Sequence, residues 1–317
     1  MGLKFFIGES GAGKSYQCIH ALSKEAAENP EQQYYCIVPE QFTMQTQKDL
    51  VFASPGEGIL NIDVLSFQRL AYRVFEEVGG DDRKVLEDIG KMLVIQKLMQ
   101  EKKAELPYLG PLGGRPGCID EMKSLLSEFF QYDQDAEKVG RMVASAPEGS
   151  LLSLKLKDVA KVYEAFGEYL ADHGLIAAEE VLDQLCTALP LSERVRGSVM
   201  LFDGFTGFTP VQLKVMEVLL SLCREVWVTV TMDPLEEYGA QAVPDDLFYM
   251  SHQMISSLLA ISPEAAEPFF ITAREGGGRF ASSPALSFLE QHLFRHSREV
   301  YKKKCPELDA FYGATRA

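Results

Sequence analysis

Gly8-Glu9-Ser10-Gly11-Ala12-Gly13-Lys14-Ser15 follows a short apolar run, Leu3 to Ile7, and precedes Tyr16 to Ala27, where Cys18, Ile19, Leu22 and Ala26 recur on one side. The octapeptide fits G-x-x-x-x-G-K-[ST] in full, and strand, loop and helix are the context in which that pattern acts as a phosphate loop. Glycines let successive N–H groups turn inward to form an anion nest, and the helix N-terminus adds partial positive charge. Gly8, Ser10, Gly11, Ala12, Gly13, Lys14 and Ser15 are therefore the candidate residues for the phosphates of ATP or ADP. Lys14 is suited to the β- and γ-phosphates and Ser15 to Mg2+. A functionless Gly-rich turn is the plain alternative, and the flanking elements argue against it.

Working outward, Tyr34 to Val38 reads as a second strand, closed by Pro39. Ile59 to Leu65 reads as a third, followed by a helix with Phe67, Leu70, Ala71, Val74 and Phe75 on its apolar face. Strand–helix alternation predicts a parallel sheet covered by helices on both faces. From about residue 88 to 196 the periodicity turns helical: Ile89 to Lys103, Ile119 to Tyr132, Leu152 to His173 and Ala177 to Leu189, with no strand evident. Strands return at Val199 to Phe202 and Val226 to Val230, with helices at Val211 to Leu222, Leu247 to Leu259 and Leu286 to His296. The expectation is an α/β, RecA-like P-loop domain in two parts, 1–87 and 197–317, interrupted by an all-helical insertion over 88–196. Gly276-Gly277-Gly278 reads as a flexible turn, and the basic stretch Arg295 to Lys304 as a solvated helix end.

Length and composition fit this reading. The chain has 317 residues, more than one compact core usually holds. Apolar residues make up 46% and charged residues 24%, which excludes wholesale disorder. Acids outnumber bases by 46 to 31, giving −15 at pH 7, so autonomous polyanion binding is disfavoured although a local groove is not. The cysteines at 18, 36, 118, 186, 223 and 305 include no CxxC pair, which argues against a zinc or iron–sulfur centre and for reduced, mostly buried thiols in a cytoplasmic protein. No apolar run approaches the ~18 residues of a membrane span.

Val199-Met200-Leu201-Phe202-Asp203 is a second nucleotide motif: four apolar residues ending in an acid, as in a strand whose Asp holds Mg2+ beside Ser15. A strand-end Asp capping a loop is the alternative. A hydrolysing ATPase of this type usually carries a further acid next, to orient or deprotonate the attacking water. Here the next residue is Gly204, which can do neither. Loss of a general base costs ~10²–10⁴ in rate, so the site reads as one that holds Mg-ATP and splits it poorly, with no catalytic residue assigned.

Asp203-Gly204-Phe205-Thr206-Gly207-Phe208-Thr209-Pro210-Val211-Gln212 resembles a degraded D-E-F-Q-D-T-N-x-x-Q motif of UvrD-like superfamily-one helicases. Val64 to Ala71, V-L-S-F-Q-R-L-A, is similar to their T-F-H-x-L motif, and Tyr35 to Thr43 sits where their first strand-contacting motif lies. Asp233 falls at a third motif, with Met232 and Glu236 replacing its Gly and Gln. The set as a whole resembles the N-terminal, helicase-like part of the AddB (RexB) family, one component of the bacterial AddAB helicase–nuclease. The resemblance implies a part that has lost motor function and contributes to recognising single-stranded DNA and its Chi sequence. It implies an AddA-like motor as partner in a heterodimer, single-stranded or duplex DNA as substrate, and no membrane. It implies that the nuclease activity and an iron–sulfur cluster belong to a C-terminal domain outside this chain.

By the same resemblance Gln41, Phe42, Thr43, Ser66 and Arg69 are candidate DNA contacts; aromatics stack bases, while hydroxyls and amides reach phosphates. Phe67 is read instead as a core residue. Two other readings stay open. One is an active P-loop ATPase or phosphotransferase with its base elsewhere, for which the insertion's isolated Arg115 and Arg141 give thin support. The other is a scaffold with a vestigial loop, against which the intact Lys14 and Ser15 speak.

Overall fold

The computed structural model describes residues 2–54, 61–80, 83–265, 267–272, 278–295, 297–306, 308–309 and 311–313. In chain order the elements run β1 (Gly2–Gly8), α1 (Lys14–Glu28), β2 (Tyr34–Ile37), α2 (Thr43–Ala53), β3 (Ile62–Leu65), α3 (Phe67–Val78), β4 (Lys84–Leu86), α4 (Asp88–Glu101), α5 (Pro116–Gln131), α6 (Ala136–Ser145), α7 (Leu151–Asp172), β5 (Leu175–Ala177), α8 (Val181–Ala188), β6 (Val199–Phe202), α9 (Pro210–Leu222), β7 (Glu225–Thr231), α10 (Tyr249–Ile261), β8 (Phe269–Phe270) and α11 (Pro284–His292). Two compact units result: residues 1–65, 197–207 and 223–317 form one, and residues 66–196 and 208–222 the other.

The first unit is built on a six-stranded sheet in the order β3-β2-β6-β7-β1-β8. Every pairing in it is parallel, with Gly8 opposite Thr231 and Ile37 opposite Phe202. The strands are nearly continuous apolar runs because both faces are covered, as a parallel sheet requires. On one face Cys18, Ile19, Leu22 and Ala26 of α1 and Leu50 of α2 pack with Cys36, Val64, Val199, Leu201 and Trp227. Phe5 and Ile7, which alternate to the other face, are fully buried as well. This is a mixed α/β architecture consistent with a RecA-like fold. Its carboxyl strand ends carry the loops after β1, β2, β6 and β7, which is where open parallel sheets place ligands.

The second unit holds its own core, in which Ile95, Met99, Leu126, Val162 and Phe166 are buried together. Two buried polar centres fix its connections. The Lys91 ammonium donates to both Glu179 carboxylate oxygens, at 2.6 and 2.7 Å, and to Ser127 Oγ at 3.1 Å. Asp158 Oδ2 accepts the Tyr108 and Leu109 backbone N–H groups at 2.8 Å each.

Several expectations about single elements need correction. The insertion read over 88–196 lies within the second unit, which runs over 66–196 and 208–222. Residues 88–196 are helices and their connections except at Leu175–Ala177, which pairs in parallel with Lys84–Leu86. Three residues show no period-2 pattern, and α8 accordingly starts at Val181 rather than Ala177. The polar α2 and short α6 are not evident from the sequence; α2 buries only Thr43, Thr46 and Leu50, too little for a helical stripe. The helix expected to reach His296 stops at His292. Ile59, Leu60, Gly276 and Gly277 lie outside the described residues.

Candidate functional site

The loop between β1 and α1 takes its shape from its glycines. Gly11 and Gly13 have φ of 79° and 97°, the left-handed region that side chains disfavour. A Cβ on Gly11 would stand 2.8 Å from Phe280 Cε2, and one on Gly8 would strike the Ile271 carbonyl oxygen. That carbonyl belongs to the residue whose N–H donates to Ile7 O at 2.7 Å. Gly11, Ala12 and Gly13 of the loop, α1's first turn, Gly278 and Arg279 line a cavity of about 480 Å³, whereas Gly8 and Ser10 do not line it. Its walls are backbone N–H groups of a helix start, Lys14, Ser15 and an arginine, a donor set that fits an oligophosphate.

Lys14 Nζ donates to the Gly8 and Glu9 carbonyls at 2.9 Å each. Burial pulls its ammonium below the ordinary lysine value, while the negative charge of Asp203, then of Glu290 and Glu9, opposes the shift. Ser15 Oγ donates to Asp203 Oδ1 at 3.0 Å. The same oxygen accepts Thr229 Oγ1–H at 2.6 Å, and Thr229 Oγ1 accepts the Gly204 N–H at 3.3 Å. Asp203 is buried at the carboxyl end of β6, held there by its N–H to Ile37 O at 3.0 Å. The fold thus brings the two candidate Mg2+ residues, Ser15 and Asp203, into direct contact. A carboxylate and a hydroxyl at hydrogen-bond distance are oxygen donors of the kind Mg2+ takes.

Gly204 has φ of 79°. A Cβ there would face Phe42 Cδ2 and Pro39 Cδ, both at 3.8 Å. The position is therefore spacious but conformationally restricted. A further acid whose charge reaches Lys14 is Glu290 on α11, whose carboxyl is pushed up by burial first and by Glu9 next.

The candidate DNA contacts divide between the units. In the first, Gln41 and Phe42 lie exposed after β2, Phe42 at 48%, whereas Thr43 is buried and spends its hydroxyl on Glu40 O at 2.9 Å. In the second, buried Ser66 caps α3 by accepting the Arg69 N–H at 3.3 Å, and Arg69 lies on the exposed side of that helix. Phe67 is buried and meets Phe208 edge-on at 6.1 Å, as a core residue does. Gln212 caps α9 reciprocally with Thr209: its Oε1 accepts Thr209 N–H at 3.0 Å and its N–H donates to Thr209 Oγ1 at 3.3 Å.

Sequence reasoning missed two groups. Arg279 reaches the phosphate-loop cavity from the far end of the chain, its N–H donating to Gly11 O at 3.1 Å. Arg295, expected in a solvated helix end, pairs with Asp233 and, at 3.5 Å, with Glu290, and lies over the Phe248 ring. Lys302, Lys303 and Lys304 are exposed as expected. None of the six cysteines, all among the described residues, is joined in a disulfide; Cys18, Cys36 and Cys223 are buried and the other three half-buried.

A family model described as "ADDB, N-terminal" matches residues 5–290. The chain belongs to that family. Among curated relatives, it is 43% identical over 310 residues to the B-type subunit of the ATP-dependent helicase/deoxyribonuclease of Lachnoclostridium phytofermentans, covering 96% of this chain and 27% of that protein. The protein of the same name from a Thermoanaerobacter species is 32% identical over 314 residues, with 98% and 27% covered. That of Geobacillus thermodenitrificans is 31% identical over 329 residues, with 100% and 28% covered. The chain therefore spans about a quarter of the length of the relatives it matches. No described helix is long and apolar enough to cross a membrane.

Proposed function

We propose that this chain is the helicase-like, non-motor N-terminal part of a helicase–nuclease subunit, holding Mg-ATP or Mg-ADP with little or no hydrolysis. The observation that carries the reading is the Ser15–Asp203 pair followed directly by Gly204. A complete phosphate loop and its Mg2+ acid are retained, and the position that aims water in related motors has no side chain. Lys14, Ser15 and the loop N–H groups would hold the phosphates, with Ser15 and Asp203 on the metal. The bound metal would supply charge neutralisation to the phosphates.

The relatives' names, as a subunit of an ATP-dependent helicase/deoxyribonuclease, support DNA as substrate and a partner subunit; the wider setting we infer is cytoplasmic processing of DNA ends with an AddA-like motor subunit. In that setting this part contributes to single-strand and Chi recognition through Gln41, Phe42 and Arg69. The nuclease and its iron–sulfur cluster belong to the longer relatives' remaining length. The contacts already made by Thr43 and Ser66 favour structural roles for their hydroxyls.

The direct test is calorimetric titration of ADP and a non-hydrolysable ATP analogue with Mg2+. Binding to the native chain and none to a folded Lys14→Ala variant is expected; equal binding to both refutes the site. A second reading, an active phosphotransferase or ATPase, is favoured by one observation, Arg279 at the loop cavity. It requires turnover that the first reading denies.

A further inference from the structure

Away from the phosphate loop, the segment between β7 and α10 brings two donors to a third on α10. His252 Nε2 stands 3.7 Å from Glu236 Oε2 and 3.9 Å from Asp246 Oδ2. One donor atom from each of the three residues lies within 4.8 Å of the other two. Neither 3.7 nor 3.9 Å is a hydrogen bond. His252 is 1% exposed, and its Nδ1 has no hydrogen-bond partner. A ring nitrogen buried without a hydrogen bond is costly, and the other nitrogen, Nε2, is aimed between two carboxylates.

We propose that Glu236, Asp246 and His252 form a binding site for a divalent transition-metal ion of the zinc or manganese class, separate from the Ser15–Asp203 pair. Donors bound at ~2.0–2.2 Å to a tetrahedral ion lie roughly 3.3–3.6 Å apart, so the two separations from His252 Nε2 need close by only a few tenths of an ångström, and the two carboxylate donors lie within 4.8 Å of each other. One carboxylate is already oriented for the task. Asp246 Oδ1 accepts the Phe248 N–H at 3.3 Å, which turns Oδ2 toward the ring. His252 is fixed by α10, its N–H bonded to Phe248 O at 2.9 Å. Glu236 is set by the turn in which its N–H donates to Asp233 O at 3.0 Å. The Glu236 and Asp246 side chains are 39% and 33% exposed, which leaves an entry path and room for water in the remaining positions. One imidazole with two carboxylates suits zinc or manganese, whereas Mg2+ prefers oxygen donors alone. An ion there would tie the segment after β7 to α10.

The test is titration of the metal-stripped full chain with Zn2+ by calorimetry and with Co2+ by visible absorption. One equivalent is expected to bind, with d–d bands, without a thiolate charge-transfer band, and undiminished by excess Mg2+. Glu236→Gln and Asp246→Asn, both at part-exposed positions, are each expected to weaken binding at least about ten-fold while circular dichroism stays unchanged. His252→Gln is expected to abolish it. No binding by the folded native chain, equal affinity in the Glu236→Gln/Asp246→Asn double variant, or a thiolate band from the free cysteines would each overturn the proposal.

Discussion

The Ser15 hydroxyl donates to Asp203 Oδ1 at 3.0 Å, joining the first turn of α1 to the end of β6 across 188 positions of sequence. Thr229 on β7 donates to the same oxygen at 2.6 Å. The three side chains come from neighbouring positions at the carboxyl edge of the sheet, so the geometry of the proposed Mg2+ acid is set by strand order as much as by the motifs.

Thr229→Val keeps the shape of a buried side chain and removes both its hydrogen bonds. Asp203 loses one donor and the Gly204 N–H loses its acceptor. A stability loss of about 1–3 kcal/mol is expected in urea unfolding, with weaker Mg-nucleotide binding. A change under a few tenths of a kcal/mol would show that water replaces the hydroxyl at no cost.

Gly11→Ala combines left-handed φ with a Cβ 2.8 Å from Phe280 Cε2. About 1–2 kcal/mol of destabilisation is expected from the backbone alone, and nucleotide affinity is expected to fall more than stability because the nest is deformed. Equal affinity in calorimetry would mean that the loop's curvature is not needed for the phosphates.

In the second unit, Lys91→Met leaves the Glu179 carboxylate, 12% exposed, without its partner. A loss of about 3–5 kcal/mol is expected by chemical denaturation. The double variant Lys91→Met/Glu179→Leu is expected to recover most of it. Failure to recover would mean that the pair, and not the stranded charge, carries the stability.

Single-stranded DNA binding by the chain alone is expected to be weak and steeply salt-dependent, because the net charge is −15. Phe42→Ala is expected to cost ~1–3 kcal/mol of that binding, the worth of a stacked base. Tight, salt-resistant binding, or an affinity indifferent to Phe42, would remove this face from the interface.

What is legible in the sequence is what local chemistry decides. The candidate phosphate loop reads directly because its glycines, lysine and serine lie next to one another in the chain. Asp203 reads because four apolar residues before an acid mark the end of a buried strand. Phe67 reads as core from its helical spacing, and the fold buries it. Arg279 and Arg295 are not legible, since their partners, Gly11 and Asp233, are brought to them by the sheet and not by spacing. The Glu236, Asp246 and His252 cluster escapes for the same reason. Gln212 looks like a surviving motif residue; its side chain caps α9, a role that Thr209-Pro210-Val211-Gln212 also spells.

The most direct measurement is the steady-state rate of Mg-ATP hydrolysis by the full 317-residue chain, under conditions where calorimetry shows the nucleotide bound. Turnover at background, with binding intact and lost in Lys14→Ala, is the result expected of a phosphate cradle followed by Gly204. A Lys14-dependent rate above ~1 s⁻¹, within the usual enzyme range, would contradict it and require a base from another element, for which Glu290, whose charge reaches Lys14, is the first residue to substitute.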